Sequence, residues 1–278
     1  MLSNELAVIA PRGVRARRWL GGCLFVLSGC FAVTVCADSQ AVRSPSFDGG
    51  FTATDTYVSG DRDNNSYSID LRATLPLAEY FGTVLAGSYT RTNYRDSFRS
   101  AVGTLPNTRS PPSCVANVGA LSLELFMRDG DVGRVGLGYG RRSPRFDCEA
   151  TFLSTGDKST DIDSVSANAE YYFSHLTIGI VGSRADLGGD NKLDSAGGYV
   201  HWYATDNWRI TLGADSLDLG DTYRLTTEYQ PELFGGSMSL TGGFALQRHT
   251  IDSQVFMVGF RYYFDEHVKL ILRDRHYR

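Results

Sequence analysis

The chain has 278 residues, of which 42% are hydrophobic and 21% are charged, and its formal net charge is −4. This acidic balance argues against a nucleic-acid-binding protein, which needs a basic surface. The one long apolar run lies at residues 19–37, and no later run reaches the roughly 18 apolar residues of a membrane-spanning helix. The 30 glycines, 15 tyrosines and 15 phenylalanines favour an all-β chain with many turns.

The first 37 residues have the features of a secretory signal peptide. Four arginines at positions 12, 15, 17 and 18 precede the apolar residues 19–33, and small side chains follow at residues 35 and 37. This pattern predicts cleavage after Ala37. An alternative is lipidation at Cys30, because residues 27–30 resemble a bacterial lipobox.

Removal of residues 1–37 changes both the charge and the cysteine count. The segment contains four arginines and one glutamate, so the remaining chain has 23 basic and 30 acidic residues and a net charge of −7. Three of the five cysteines leave with it, and Cys114 and Cys148 remain. An even pair in an exported chain predicts a disulfide.

From residue 47 onward, apolar and polar side chains alternate with a period of two, which is typical of strands with two different faces. Trp208–Asp215 and Met238–Gln247 show this clearly. Twelve strands are predicted, at 47–59, 66–76, 80–95, 117–128, 131–142, 161–173, 175–185, 194–204, 207–217, 221–230, 236–249 and 253–264.

The predicted connections differ in length. Short turns at 77–79, 129–130, 174, 205–206 and 231–235 alternate, through the first four hairpins, with longer loops at 60–65, 96–116, 143–160 and 186–193. Outer-membrane barrels have short periplasmic turns and longer surface loops. Aromatic residues also cluster beside the predicted short turns, as in the aromatic belts of membrane barrels.

The segment Gly259–Phe264 resembles the terminal-strand signal of Gram-negative outer-membrane proteins. The resemblance implies a transmembrane antiparallel up-and-down β-barrel of about 12 strands over residues 47–264, located in the cell outer membrane. It also implies that the barrel-assembly machinery recognises Gly259, Tyr262 and Phe264, with periplasmic chaperones, lipid and lipopolysaccharide as further partners. Met257 departs from this pattern, and the motif is followed by further residues.

Two flanking segments complete the predicted domain organisation. Residues 38–46 are predicted to form an N-terminal periplasmic segment, and residues 265–278 a short basic periplasmic tail. A thirteenth strand at 268–272 would break the even strand count that is usual for such barrels.

The less apolar face of each strand is assigned to the barrel interior. The predicted pore-lining residues are Asp70, Arg72, Glu124, Arg134, Glu170, Arg209, Asp215, Arg224, Glu228 and Arg261. Folding the hairpins predicts three opposite-charge pairs, because neighbours on one face of a sheet approach to about 5 Å. The pairs are Glu124 with Arg134, Arg209 with Glu228, and Asp215 with Arg224.

Two functions fit this interior. A barrel of about 12 strands lies between filled barrels of about 8 strands and open porins of about 16. The first function is a narrow porin-like channel for passive passage of small polar or charged solutes. The alternative is a structural or adhesion barrel with a filled lumen and disulfide-linked surface loops.

A barrel hydrolase is the third hypothesis, since His249, Asp252 and Ser253 combine the side chains of nucleophilic catalysis at one rim. No family motif surrounds them, and the sequence predicts no enzyme. The acidic runs at 61–65, 157–163 and 186–194 lack the carboxylate spacing of a calcium loop and are interpreted as solvated turns. We expect no metal, cofactor or nucleic-acid partner.

Overall fold

The computed structural model describes residues 44–58, 61–94, 114–148, 161–188, 192–217, 220–248, 252–264 and 268–277. These residues form one antiparallel sheet of twelve strands, in which each strand pairs with its sequence neighbours and β1 pairs with β12, so that the sheet closes into a barrel. The predicted fold class and strand number are confirmed. The predicted signal peptide and the alternative lipidation site at Cys30 lie outside the described residues.

The strands have the following bounds: β1 Ser46–Val58, β2 Asp61–Ala78, β3 Phe81–Tyr94, β4 Cys114–Asp129, β5 Gly133–Cys148, β6 Ile162–Tyr172, β7 Leu176–Asp186, β8 Lys192–Thr205, β9 Trp208–Leu217, β10 Gly220–Tyr229, β11 Met238–Arg248 and β12 Ser253–Tyr263. Among the described residues there are also one 3₁₀ turn at Glu232–Phe234 and one short helix, α1, which covers Leu270–His276.

The alternation in sequence decides which side chains face outward. In β2, Ile69 and Leu71 are 56% and 61% exposed, whereas Asp70 and Arg72, which alternate with them, lie on the other face. The same pattern around the barrel produces a continuous apolar outer band. Its members include Leu85, Leu121, Leu125, Leu137, Val165, Ile180, Leu212, Leu225 and Val258. Such a surface is unfavourable in water and suits the hydrocarbon core of a membrane.

One end of the barrel carries only short turns, which comprise residues 79–80, 130–132, 173–175, 206–207 and 230–237, together with the start of β1 and the end of β12. We call this the short-turn end. Exposed outward aromatics lie beside it, including Phe81, Trp202, Trp208 and Tyr229. Tyr171 with Phe173 and Tyr262 with Phe264 form edge-to-face pairs at ring distances of 4.9 Å. This arrangement matches the aromatic belt of a membrane interface.

The prediction of a long connection at 60–65 is wrong. β2 begins at Asp61 and has 18 residues, so β1 and β2 are joined only through residues 59–60. A strand needs about 9–11 residues to cross a membrane. The polar stretch 61–65 therefore extends the strand beyond the bilayer, where polar side chains are tolerated on both faces.

Cys114 and Cys148 were predicted to lie in loops, and this is also wrong. β4 begins at Cys114 and β5 ends at Cys148, and the two residues are direct register partners. The strands again continue past the membrane-crossing region, and this continuation brings the two backbones side by side.

The C-terminal residues, predicted as a basic tail, contain α1. Leu270 is fully buried, Arg273 and His276 are nearly so, and the helix contacts inward-facing side chains at the short-turn end. Neither of the two described helices is long and apolar enough to cross a membrane.

Candidate functional site in the barrel interior

All ten residues predicted to line the interior lie on inward faces of their strands. They are Asp70 and Arg72 on β2, Glu124 on β4, Arg134 on β5, Glu170 on β6, Arg209 and Asp215 on β9, Arg224 and Glu228 on β10, and Arg261 on β12. In each case the flanking residues of the same strand face outward. The structure therefore places these charges together inside the barrel.

The three predicted charge pairs form. Arg134 Nη2 lies 2.7 Å from Glu124 Oε1, Arg209 Nη2 lies 2.5 Å from Glu228 Oε2, and Arg224 Nη2 lies 3.4 Å from Asp215 Oδ2.

The predicted register of the first of these pairs is wrong, although the contact is right. Glu124 lies opposite Gly138, and Arg134 lies opposite Arg128. The turn between β4 and β5 has three residues rather than two. The Arg134 side chain is nevertheless long enough to reach Glu124. Gly136 follows on the same face of β5 and has no side chain, and the Glu124 carboxylate occupies the space that this leaves.

Closure of the barrel adds an ion-pair cluster that the sequence did not predict. Arg261 on β12 pairs with Asp48 on β1 and lies 2.8 Å from Asp70 on β2. Asp48 is only 3% exposed. These three residues meet because β1 lies between β12 and β2 in the closed sheet, a contact that joins the two ends of the chain.

Two carboxylates are each held by tyrosine hydroxyls. Glu228 Oε1 accepts hydrogen bonds from Tyr263 at 2.6 Å and from Ser239 at 2.6 Å. Glu170 accepts from Tyr172 at 2.9 Å and from Tyr199 at 2.5 Å. Buried charges need such partners, because an unpaired charge away from water is costly.

Arg128 and Arg134 are register partners on β4 and β5 and lie over the same ring. Their guanidinium carbons are 4.7 Å and 4.3 Å from the centre of the Phe126 ring. Cation–π contact favours this placement of two like charges. Arg128 is 1% exposed and belongs to the interior cluster. It was not among the predicted pore-lining residues, because it lies at the end of a predicted strand.

Helix α1 brings further charges to this cluster. Asp274 accepts hydrogen bonds from Tyr203 at 2.8 Å and from Arg209 at 2.7 Å. Arg273 lies 4.0 Å from the centre of the Tyr263 ring. The sequence predicted no role for Asp274, since nothing in the pattern of the last residues indicates where they pack.

Other contacts tie α1 to several short turns. Arg275 donates to the carbonyl oxygen of Phe173, and the amide of Ile271 donates to that of Asp206 at 3.0 Å. The hydroxyl of Ser46 donates to the carbonyl of Tyr277 at 2.5 Å. The helix is therefore attached across the short-turn end rather than to one strand.

A polar cavity of about 200 Å³ lies between α1 and the barrel wall. Wall residues and helix residues both line it: Arg72, Arg134, Glu170, Tyr172, Thr177, His201, Tyr203, Arg209, Asp274 and Arg275. Four of its charged groups are arginines and two are carboxylates. The cavity thus presents charges of both signs and suits polar or charged groups.

Toward the opposite end the inward side chains are mostly small. Ser66 bonds to Thr92 at 2.8 Å, Ser68 to Thr90 at 3.0 Å, and Ser183 to Ser195 at 2.6 Å. Serine, threonine and glycine residues take up less of the lumen than arginine or tyrosine.

The remaining predicted residues lie elsewhere. Gly259 faces inward against Thr52 and Thr241, whereas Tyr262 and Phe264 face outward at the short-turn end. Of the predicted rim cluster, His249 lies outside the described residues, and Ser253 donates to Gln247 at 2.8 Å. Within the described part of the chain, no group of three or more His, Cys, Asp or Glu residues is arranged to hold a metal.

Two solved structures show the same architecture at low sequence identity. An outer membrane channel from Pseudomonas putida F1 has a TM-score of 0.57 and 12% identity, covering 84% of this chain and 100% of its own. The KdgM porin has a TM-score of 0.50 and 9% identity, covering 78% and 99%. No family model and no curated protein matches the sequence. At these identities the likeness shows the fold alone.

The closed barrel of twelve strands, the apolar outer band and the aromatic belt define the protein as an outer-membrane β-barrel. Its described interior contains an arginine–carboxylate cluster, and the C-terminal helix packs against this cluster.

Proposed function

We propose that this barrel is a narrow porin-like channel for passive passage of small polar or charged solutes. The observation that carries the proposal is the charged cavity of about 200 Å³ between α1 and the wall of a polar interior. A barrel of this strand number encloses less space than the water-filled porins of about 16 strands. The ten predicted inward charges would line the solute path.

The cluster also supports selection among solutes. Arginine and carboxylate side chains face one another across the cavity, and charges in a site shielded from bulk water act more strongly than charges at an open surface. An ion or dipolar solute would therefore be oriented as it passes the cavity.

Conductance in planar lipid bilayers tests the channel. Folded wild-type barrels should give discrete current steps, smaller than those of wide porins. Arg134→Gln removes the partner of Glu124 and should shift the reversal potential in a salt gradient toward cation selectivity. Arg184→Gln is the matched control, because Arg184 faces outward, is 60% exposed and pairs with Asp194. An unchanged reversal potential in Arg134→Gln would contradict its place on the solute path.

A structural barrel with a closed lumen is the second candidate, and the burial of α1 favours it. Leu270 and Arg273 are withdrawn from solvent at the short-turn end. If folded wild-type barrels and folded Asp274→Asn barrels both carry no current, the closed structural barrel replaces the channel.

A further inference from the structure

The carboxylate of Asp274 is bound by side chains of the barrel wall in the way that a carboxylate ligand would be bound. Its Oδ2 atom accepts hydrogen bonds from the guanidinium of Arg209 at 2.7 Å and from the hydroxyl of Tyr203 at 2.8 Å. The Asp274 side chain is 11% exposed, so most of it is removed from water. Charge-assisted hydrogen bonds of this kind are among the strongest polar contacts in proteins.

The wall side of this contact is held independently of the helix. Arg209 lies on β9 and pairs through its other terminal nitrogen with Glu228 at 2.5 Å. Tyr203 lies on β8, is 2% exposed, and its amide donates to the carbonyl of His175 at 2.9 Å. When α1 moves away, the guanidinium is therefore still held by Glu228, and Tyr203 still lies opposite Arg209 on the neighbouring strand, so both side chains can donate to another carboxylate.

The same cavity offers room beside the Asp274 carboxylate. Arg72, Arg134 and Thr177 line it together with Arg209. A volume of about 200 Å³ accommodates a small organic acid, and the guanidinium groups that line the cavity are suited to donate hydrogen bonds to a carboxylate.

Helix α1 is suited to reversible docking. It has seven residues, a length at which an isolated helix is not stable in water. Leu270 and Ile271 are its buried apolar side chains, and its N-terminal side is attached by the exposed pair Lys269–Asp206 at 2.6 Å. Its helical conformation therefore depends on its contacts with the barrel, among which Asp274 makes the ion pair with Arg209 on the wall.

We propose that Arg209 and Tyr203 form a binding site for small carboxylates, and that Asp274 occupies this site as an internal ligand while α1 is docked. A solute carboxylate competes with Asp274 for the same donors and, by linkage, favours the undocked helix. The gating consequence rests on the proposed channel function, because displacement of α1 opens the short-turn end to the solute that displaces it.

Calorimetric titration of acetate into folded barrels tests the site without any need for current. Asp274→Ala vacates the donors and should bind acetate about tenfold or more tightly than the wild type, in which Asp274 competes. Acetamide, which has the same shape without the charge, should bind neither. Glu79→Ala is the matched control, since Glu79 is an exposed carboxylate on another short turn. Equal acetate affinity in the wild type and Asp274→Ala would overturn the proposed site.

Bilayer recordings test the gating. The wild-type open probability should rise severalfold when acetate replaces chloride, and Glu79→Gln should respond in the same way. Asp274→Asn keeps the shape of the side chain, loses its charge, and should be open in both salts. Wild-type current that is equal in both salts would overturn the gating. Tighter acetate binding by Asp274→Ala without current in any variant would support the site and contradict the channel.

Discussion

At the scale of single residues, the interior depends on glycines over which long side chains lie. A β-carbon at Gly179 would lie 2.2 Å from the ring of Tyr199, and one at Gly136 would lie 2.3 Å from Glu124 Oε1. Such approaches are possible only where a strand residue has no side chain. The Tyr199 hydroxyl thereby reaches Glu170 at 2.5 Å, so Gly179 supports one of the interior carboxylates.

A side chain at Gly179 should therefore disturb the interior. Gly179→Val displaces the Tyr199 ring, and we expect a loss of about 1–3 kcal/mol in the free energy of unfolding, as for other overpacked sites. Urea unfolding of the barrel in lipid vesicles, followed by tryptophan fluorescence, measures this loss in the free energy of unfolding. Gly182→Val is the matched control, because Gly182 faces outward on the same strand and its nearest neighbour would be 3.5 Å away. Equal losses in the two variants would contradict this role of Gly179.

At the scale of elements, α1 is attached by contacts whose charges depend on pH. The ammonium of Lys269 bonds to Asp206 and lowers the pKa of that carboxyl below its ordinary value, and the same contact raises the pKa of Lys269. Because the pKa of Asp206 is lowered when α1 is docked, its charge stabilises docking at every pH above the ordinary pKa of an aspartate. This contribution is lost as the pH falls through the lowered pKa. Because the pKa of Lys269 is raised when α1 is docked, its charge stabilises docking at every pH below the ordinary pKa of a lysine. This contribution is lost as the pH rises through the raised pKa.

We therefore expect this pair to favour docking between about pH 4 and about pH 10. Asp206→Asn should increase hydrogen–deuterium exchange of residues 268–277 a few-fold at neutral pH, since both groups are exposed and such pairs are weak. At a pH below the lowered pKa of Asp206 the variant and the wild type should exchange at the same rate, because the carboxyl is then protonated in the wild type. A difference that persists at acid pH would contradict the ionic origin of the effect.

The pairing of β4 with β5 leads to a second prediction at this scale. Cys114 and Cys148 are register partners, and backbones that face each other in an antiparallel pair lie within the Cα separation of a disulfide. We expect an oxidised pair that contributes about 2–4 kcal/mol to the stability of the folded chain. The denatured chain should migrate faster before reduction than after it. Cys148→Ser should migrate like the reduced chain, and a wild type that already does so would contradict the disulfide.

At the scale of the whole molecule, closure leaves no free strand edge among the described residues. β1 and β12 pair over eleven positions, from Asp48 with Tyr263 to Val58 with Ser253. A closed sheet cannot lose strands one at a time from an exposed edge. The barrel therefore opens as a unit, and its opening is expected to be slow.

This cooperativity is measurable on a gel. The mature chain should resist dodecyl sulfate at room temperature and migrate faster unboiled than boiled, because a closed barrel stays compact in the detergent. Circular dichroism of the unboiled sample should retain the strand signal. Identical migration before and after boiling would contradict the closed barrel.

The sequence alone determined the features that follow from local chemistry. The period of two predicted twelve strands and identified the outward faces, since lipid on one side and a polar interior on the other select alternating side chains. Hairpin neighbours were also predictable, as the pair Arg209–Glu228 shows. Strand ends were less predictable, because beyond the bilayer neither face is selected, and β2 accordingly begins at Asp61.

Only the tertiary structure decided which distant residues meet. Arg261 joins Asp48 through closure of the sheet, and Asp274 reaches Arg209 because α1 folds back to the short-turn end. Neither contact leaves a periodic signal, since it depends on how the two ends of the chain are brought together. The charged interior was therefore predicted from the strands, whereas the helix that completes its cavity became visible only in three dimensions.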